Sequence, residues 1–407
     1  NFNSCCVSYT AKAQLDENDQ DHLEALGLLK DQLVGKVQEA LKAEGLEGWL
    51  LFSFGRSNPL ALEVLGLAHL HLTRRFAYLI PREGEPTLLC HAIEASLFPP
   101  LPGNRKTYHT WRGFLEGLAH LLGGMRRVAL EYVPGGQIPY LSRVDGGTLD
   151  LLRGLGLELA SSWPLLLLFQ TWDEERLQSH RRAAAGLARA KDLALDFLRQ
   201  NPEASEREVQ SVLVRALEGE GLIFDHPPMV AFGKNAANPH HEPSEARLEE
   251  GAVVLLDLWA KAPGGVYADL TWMAGKRPPE AAHRAFQAVT RARDEAIAFV
   301  ERAYREGRYP KGFEVDRLAR KVLEEEGYGP YIRHRTGHNL GEEVHGSGPH
   351  LDDLETHDLR PLVPGLAFTV EPGVYLEAFG VRTEVDVYLH PTGPEVTTPL
   401  QETITPL

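Results

Sequence analysis

The chain has 407 residues, of which 43% are hydrophobic and 24% charged, and its formal net charge is −15. This length exceeds what one hydrophobic core usually serves, so we expect two folded domains. The acidity argues against nucleic acid or an anionic membrane surface as a partner, because both carry negative charge. Three cysteines do not suggest a disulfide framework, and they favour a reducing, cytoplasmic setting.

The first 22 residues differ in composition from the rest of the chain. They are rich in Asn, Ser, Cys and Asp, whereas the remainder is rich in Leu, Arg, Glu, Gly and Pro. They contain no basic start followed by an apolar segment, so they do not resemble a signal peptide. We interpret residues 1–22 as an extension outside the folded domains.

Helical and strand-like segments alternate over residues 23–170. Lys30–Lys42 has helical spacing of its apolar residues, and Trp49–Ser53, Phe76–Ile80 and Val128–Tyr132 have the composition of strands. This alternation predicts an α/β domain. The segment carries no phosphate-binding or dinucleotide-binding fingerprint.

Residues 171–407 show two helices followed by strands, and then the same order again. Thr171 with Glu174, and Ser205 with Glu208, have the spacing of capping boxes that open the first two helices. The repeated order predicts an internally duplicated α+β domain. A functional site at the junction of the two halves follows from such a duplication.

Two carboxylates interrupt the apolar strands of a hairpin predicted over residues 253–274. Asp257 lies within the run Val253–Trp259 and Asp269 within Val266–Ala274. A buried carboxylate needs a partner, which is a hydrogen-bond donor, an arginine or a cation. Since neither strand contains a basic residue, the pattern favours a shared cation over arginine pairing.

Further candidate ligands follow in three short segments. The stretch HRTGHNLGEEVH at 334–345 holds three histidines, and histidine is a frequent metal ligand, although a loop with surface histidines would have the same sequence. Two later strands again contain acidic residues. Glu371 ends one run, and strand alternation in the other places Arg382, Glu384 and Asp386 on one face.

Four carboxylates and an imidazole are a ligand set suited to two divalent ions such as Mn²⁺, Co²⁺ or Zn²⁺. Two such ions, about 3.5–4 Å apart, activate a water molecule and stabilise the oxyanion of amide hydrolysis. The chain has neither a serine nucleophile elbow nor an HExxH zinc helix. The pattern therefore predicts a two-metal hydrolase.

These blocks, in this order and spacing, resemble the pita-bread metallopeptidases, the family of prolidase, aminopeptidase P and methionine aminopeptidase. The resemblance covers about residues 172–407. The first half resembles the amino-terminal domain of the creatinase–prolidase branch. The resemblance implies a catalytic pita-bread domain with a pseudo-two-fold duplication over residues 171–407, preceded by a creatinase-type α/β domain over residues 23–170.

The resemblance also implies a role for each ligand. The first aspartate binds one ion, the second aspartate and the last glutamate bridge both ions, and the glutamate before Pro-Gly also serves as general base. The middle histidine of the block is the metal-binding one. Carried onto this chain, the metal ligands are Asp257, Asp269, His338, Glu371 and Glu384.

Four further residues match substrate-contacting or catalytic positions of the family. His240 and His345 match histidines that bind the substrate carbonyl or the developing oxyanion. His334 matches the first histidine of the block, which contacts substrate. Arg382 matches the arginine of the late strand, which orders the site or meets a substrate carboxylate.

The chain departs from the family pattern in the hairpin. The segment S-D-x-T-R of the family reads ADLTW at residues 268–272, so Trp272 replaces the arginine, and the turn is one residue longer. Tyr267 stands two residues before Asp269, so alternation would point both side chains to one face. We therefore consider two readings of Tyr267, a hydroxyl that reaches the metal centre and a tyrosine packed in the core.

The long first domain favours the proline-specific branch. We expect a small proline-containing peptide as substrate and an Xaa-Pro dipeptidase activity, with Xaa-Pro aminopeptidase as the alternative and a non-catalytic binding module as the second alternative. A dipeptidase must hold the free carboxylate of its substrate by a cation, and the sequence does not identify which arginine does so. The resemblance also implies a homodimer.

Overall fold

The computed structural model describes residues 32–407, and the predicted extension at residues 1–22 lies outside them. The described chain forms two compact units. The first contains the residues up to Tyr132 together with Arg143–Leu168, and the second contains Val133–Ser142 and Phe169–Leu407. The second unit thus includes a short segment from the region that the sequence assigns to the first domain.

The first unit is a six-stranded sheet with helices, as expected of an α/β domain. The strand order is β4-β3-β2-β1-β5-β6, and only β2 runs antiparallel to its neighbours. Its helices are residues 32–43 (α1), Pro59–Leu65 (α2), Trp111–Leu121 (α3), Gly146–Gly154 (α4) and Trp163–Gln170 (α5), the last of which continues into the second unit. Its strands are Gly48–Phe54 (β1), Arg75–Pro81 (β2), Thr87–His91 (β3), Asn104–Tyr108 (β4), Arg127–Leu130 (β5) and Glu158–Ser161 (β6).

A fully buried carboxylate lies in the core of this unit. Glu131 follows β5 and is fully buried. It accepts hydrogen bonds from Trp49 Nε1 at 2.9 Å, Asn58 Nδ2 at 2.8 Å and Ser162 Oγ at 2.8 Å. Three donors therefore replace the water that the carboxylate loses on burial.

The second unit contains two helix pairs, each followed by antiparallel strands, as the repeated order predicts. The helices are Glu174–Gln200 (α6), Glu206–Gly219 (α7), Glu280–Arg305 (α8) and Gly312–Glu325 (α9). The strands are Met229–Phe232 (β7), Val253–Ala260 (β8), Ala268–Gly275 (β9), Ala367–Val370 (β10), Gly373–Tyr375 (β11), Gly380–Arg382 (β12), Val385–His390 (β13), Gly393–Val396 (β14) and Thr405–Pro406 (β15). They form sheets in the orders β15-β9-β8-β7, β10-β13-β14 and β11-β12.

The capping signals place one helix start correctly and the other too early. Ser205 caps α7, with its Oγ accepting from the Glu208 N–H at 3.2 Å. The first helix begins at Glu174, and its N-cap is Asp173, whose side chain accepts from the Arg176 N–H at 2.9 Å. The predicted start at Thr171 is therefore wrong, because the aspartate two residues later provides the capping oxygen.

The two halves of the second unit meet at the hairpin β8–β9. Thr271 on β9 forms an isolated β-bridge with Glu384, which lies between β12 and β13. This bridge brings acidic residues from both halves to one place. Within residues 32–407, no helix is both long and apolar enough to cross a lipid bilayer.

Candidate metal centre

The hairpin presents both of its aspartates on one face. Asp257 on β8 pairs with Thr271 on β9, and Trp259 pairs with Asp269. Directly paired residues of antiparallel strands share a face, as do residues two apart along a strand. The register therefore places both carboxylates on the same side of the sheet, as a cation shared by the two requires.

His338 is held by backbone contacts with β10. Its N–H donates to Thr369 Oγ1 at 3.0 Å, and its carbonyl accepts from the Thr369 N–H at 2.8 Å. The chains approach so closely that a methyl group on Gly337 would lie 1.9 Å from the Thr369 carbonyl oxygen. The Nδ1–H of His338 donates to the Asn339 carbonyl at 3.0 Å, which leaves Nε2 to face the carboxylates.

Four of the five predicted ligands converge. Asp269, His338, Glu371 and Glu384 each offer one ligand atom, and these atoms all lie within 4.8 Å of one another. The His338 Nε2 atom is 3.2 Å from Asp269 Oδ2 and 3.4 Å from Glu371 Oε2. Residues from distant parts of the chain thus form one compact set of oxygen and nitrogen donors.

Asp257, the fifth predicted ligand, lies beside this group and is paired with arginine. Its Oδ2 accepts from Arg382 Nη2 at 2.6 Å, and Arg382 Nη1 also donates to the Tyr375 hydroxyl at 2.6 Å. Arginine pairing, disfavoured from the hairpin sequence, is therefore present, because the arginine comes from β12 rather than from the hairpin. Burial, with the charges of Asp269 and Glu371, raises the pKa of Asp257 to about 7 despite this arginine.

The clustered carboxylates perturb one another strongly. Burial and the neighbouring carboxylates hold the pKa of Glu384 well above its usual range, and Glu371 shares a hydrogen bond with it and keeps a depressed pKa. Two such carboxyl groups share one proton because two adjacent charges repel. Burial alone would lower the pKa of His338, but Asp269 and Glu371 raise it to about 10.

The residues present fit a divalent metal site. Among the buried side-chain atoms of the described chain, one oxygen each of Asp257, Asp269 and Asp386 has no hydrogen-bond partner. A buried polar atom left unpaired costs free energy, and several clustered carboxylates repel one another as well. Divalent cations satisfy both the unpaired oxygens and the excess negative charge.

Two residues without a predicted role support the ligands. The Thr271 hydroxyl donates to Glu384 Oε1 at 2.9 Å, and Asp386 Oδ2 accepts from the backbone N–H of Asp269 at 2.9 Å. Asp386 is fully buried. Strand alternation already placed Asp386 on the face of Glu384, so the sequence contained a signal for it.

Two of the predicted substrate histidines lie beside the metal ligands. The His345 ring packs edge-on against His338, with 4.4 Å between ring centroids. His334 is linked through its Nε2 to the Tyr375 hydroxyl at 2.6 Å, and that hydroxyl contacts Arg382. Both imidazoles therefore lie near residues of the candidate metal centre.

His240 stands apart from this group in the described structure. It is exposed, and no hydrogen bond within residues 32–407 joins its ring to the carboxylates. Its neighbour His241 instead contacts the buried Glu206, with 2.8 Å between Nε2 and Oε1. Of the two adjacent histidines, His241 is engaged in holding the loop, and the role predicted for His240 stays a prediction.

The hypothesis that Tyr267 reaches the metal centre is not supported by its contacts. The Tyr267 hydroxyl accepts from the Asp225 N–H at 3.1 Å, and the side chain is buried in an apolar cluster. Tyr267 precedes the first paired residue of β9, Ala268, so strict alternation does not extend to it. The reading as a packed core tyrosine is the one that the structure favours.

The comparisons with known proteins agree with this geometry. The model of metallopeptidase family M24 matches residues 178–391. An uncharacterized peptidase from Staphylococcus epidermidis is 28% identical over 344 residues, which cover 80% of this chain and 88% of the relative. The crystal structure of dipeptidase PepE from Mycobacterium ulcerans is 23% identical, with a TM-score of 0.72 and coverage of 94% of this chain and 99% of the other. X-Pro aminopeptidase from Thermotoga maritima MSB8 has 23% identity, a TM-score of 0.63 and coverage of 92% and 99%.

The chain belongs to metallopeptidase family M24, since the family model spans more than half of it. It is accordingly a metallopeptidase that acts on peptides. The similar crystal structures extend over nearly the whole chain and confirm the predicted fold class, a pita-bread catalytic domain preceded by a creatinase-type domain. At their level of identity they define the fold and not the substrate.

Proposed function

We propose that the chain hydrolyses the peptide bond before proline in short peptides, with two divalent ions held by Asp257, Asp269, His338, Glu371 and Glu384. The observation that carries this proposal is the convergence of Asp269, Glu371 and Glu384 on the imidazole of His338. Asp269 and Asp257 each also have a buried oxygen without a hydrogen-bond partner. A stable fold without metal gains nothing from such an arrangement, because each unpaired oxygen and each like-charge pair costs free energy.

The side chains around this set have complementary tasks. Divalent ions bound there would polarise the scissile carbonyl and lower the pKa of a water molecule toward neutrality. Glu371, which has a depressed pKa, accepts the proton from the attacking water and delivers it to the imino nitrogen of proline as the bond breaks. Arg382 keeps Asp257 in place. His345, which packs on His338, donates to the substrate carbonyl oxygen as negative charge develops on it. The resemblance to the family assigns the same role to His240.

Both proline-specific activities have relatives of this fold. Xaa-Pro dipeptidase from Bacillus anthracis and X-Pro aminopeptidase from Thermotoga maritima MSB8 are among the similar structures, with identities too low to choose between them. We place Xaa-Pro dipeptidase first and Xaa-Pro aminopeptidase second. The choice depends on whether the site binds the free carboxylate of a terminal proline.

The test is hydrolysis of Xaa-Pro, Xaa-Pro-Yaa and Xaa-Ala by the full chain after chelation and after addition of Mn²⁺, Co²⁺ or Zn²⁺. We expect no activity after chelation, recovery with at least one metal, and cleavage of the proline peptides over Xaa-Ala. Equal cleavage of Xaa-Ala would exclude proline specificity. Full activity in a chelated protein free of metal would exclude the two-metal site.

A further inference from the structure

Two of the arginines near the histidine block have their donors engaged by the protein. Arg382 binds Asp257 and Tyr375. Arg360 is fully buried and donates to Asp358 and to the carbonyls of Ser347 and Gly348. Neither guanidinium has the freedom to reorient toward a substrate without breaking buried hydrogen bonds.

Arg335 differs from them. Its Nη1 is 3.7 Å from Asp352 Oδ2 and its Nε is 4.0 Å from Glu355 Oε2, so both carboxylates attract it from beyond hydrogen-bond distance. The oxygens of Asp352 already accept from two backbone N–H groups, those of Leu354 and Glu355, and from the Thr356 hydroxyl. Within the described chain, no hydrogen bond engages the Arg335 guanidinium, although only 17% of the side chain is exposed.

The positive charge of Arg335 also acts on three buried histidines of this part of the chain. Burial lowers the pKa of His334, His345 and His350, and in each case the positive charge of Arg335 lowers it further. Arg335 directly follows His334 in the chain, and the His334 ring lies 2.6 Å from the Tyr375 hydroxyl, which contacts Arg382. His345 in turn packs on the ligand His338. Arg335 therefore belongs to the surroundings of the substrate site.

We propose that Arg335 binds the free carboxylate of a carboxy-terminal proline and so makes the site selective for Xaa-Pro dipeptides. This inference rests on the proposed function. A guanidinium offers two parallel N–H donors that match the two oxygens of a carboxylate, and partial burial strengthens such a contact. Asp352 and Glu355 offset part of its charge. We therefore expect a preference over uncharged ends of about 10-fold to about 100-fold, and not absolute exclusion.

The experiment compares Xaa-Pro with its amide, Xaa-Pro-NH₂, in the metal-loaded full chain. The wild type should favour the free acid in kcat/KM by about 10-fold or more, mainly through KM. Arg335→Gln should remove this preference while the rate on the amide stays within about 3-fold of wild type. Arg335→Lys keeps the charge without the paired donors, so its preference for the free acid should lie between those of wild type and Arg335→Gln.

Arg333→Gln is the matched control. Arg333 lies two residues away, is exposed, and donates to the carbonyls of Pro330 and Ile332. This substitution should leave the ratio of kcat/KM for Xaa-Pro to kcat/KM for Xaa-Pro-NH₂ unchanged. A ratio that is equally high in Arg335→Gln and Arg335→Lys as in wild type would overturn the assignment of Arg335. Failure of the wild type to cleave either peptide would instead reject the proposed function on which it rests.

Discussion

Buried carboxylates occur in both units, and their surroundings differ. In the first unit, Glu131 is fully buried and accepts hydrogen bonds from Trp49, Asn58 and Ser162. In the second unit, several carboxylates converge and leave buried oxygens without a partner. The first arrangement is complete without any ligand, whereas the second becomes complete only when cations are added.

This difference distinguishes a buried carboxylate that is stabilised by hydrogen bonds alone from carboxylates that are suited to bind a cation. Burial raises the pKa of Glu131, and its three hydrogen-bond donors act in the opposite direction. In the candidate metal centre, burial and like charges together raise the pKa of Glu384, and the neighbouring Glu371 carries the remaining negative charge. The number of donors for each buried oxygen, rather than burial itself, therefore indicates where a metal binds.

The largest expected effect is on catalysis. Glu371→Gln should lower kcat/KM for Xaa-Pro by about 10³-fold, because the amide neither accepts the proton nor binds metal as well. Glu131→Gln should leave kcat/KM within about 3-fold of wild type, since Glu131 lies in the other unit. Steady-state kinetics at saturating metal measure kcat/KM for Xaa-Pro in both variants. Equal losses in the two variants would remove the distinction between the two kinds of acid.

For the free energy of unfolding, we expect the larger loss from a substitution of Glu131 and little or no loss from a substitution in the carboxylate cluster. Glu131→Ala removes the acceptor that three buried donors share, so the free energy of unfolding should fall by about 3 kcal/mol. Urea unfolding followed by tryptophan fluorescence is suitable, because Trp49 contacts Glu131 directly. Glu384→Gln in metal-free protein replaces a carboxyl group whose raised pKa already keeps it protonated, so the free energy of unfolding should be unchanged or slightly higher. A destabilised Glu384→Gln variant would show that the cluster is satisfied without cations.

Metal binding should stabilise the second unit in a way that depends on the cluster. A ligand at about 100 times its Kd adds about 2.7 kcal/mol to the free energy of unfolding. We expect an increase of this order for wild type and for Glu131→Gln on addition of Mn²⁺. The increase should largely disappear in Glu384→Gln. Calorimetry with matched chelated samples measures it, and an undiminished increase in Glu384→Gln would remove that residue from the ligand set.

The parts of the fold and site that local sequence determines were predictable. The sequence predicts the hairpin that carries Asp257 and Asp269 and the helix start at Ser205, because both depend on neighbouring residues. The pairing of Asp257 with Arg382 was not predictable in this way, since the two residues are far apart in the chain. The unengaged donors of Arg335 likewise depend on Asp352 and Glu355, which reach it only through the tertiary fold.

The smallest expected effect concerns a buried histidine behind the metal centre. The Nδ1–H of His180 donates to the Tyr267 carbonyl at 2.9 Å, so its Nε2 accepts from the Thr397 hydroxyl at 2.7 Å. Burial, assisted by the charge of Arg181, lowers the pKa of His180 to about 4. Asp386 lies 3.9 Å away but offers no countercharge in metal-free protein, because burial raises its own pKa well above the usual range.

Since the unfolded chain takes up a proton on this histidine near pH 6.5 and the folded chain near pH 4, stability should fall as the pH decreases between these values. The contribution is complete above about pH 6.5 and declines by at most about 1.4 kcal/mol for each pH unit below it. Urea unfolding of chelated wild type and His180→Gln at several pH values isolates this term, because other groups titrate in both proteins. The stability difference between them should narrow on acidification, and parallel pH profiles would mean that His180 is not held neutral by the fold.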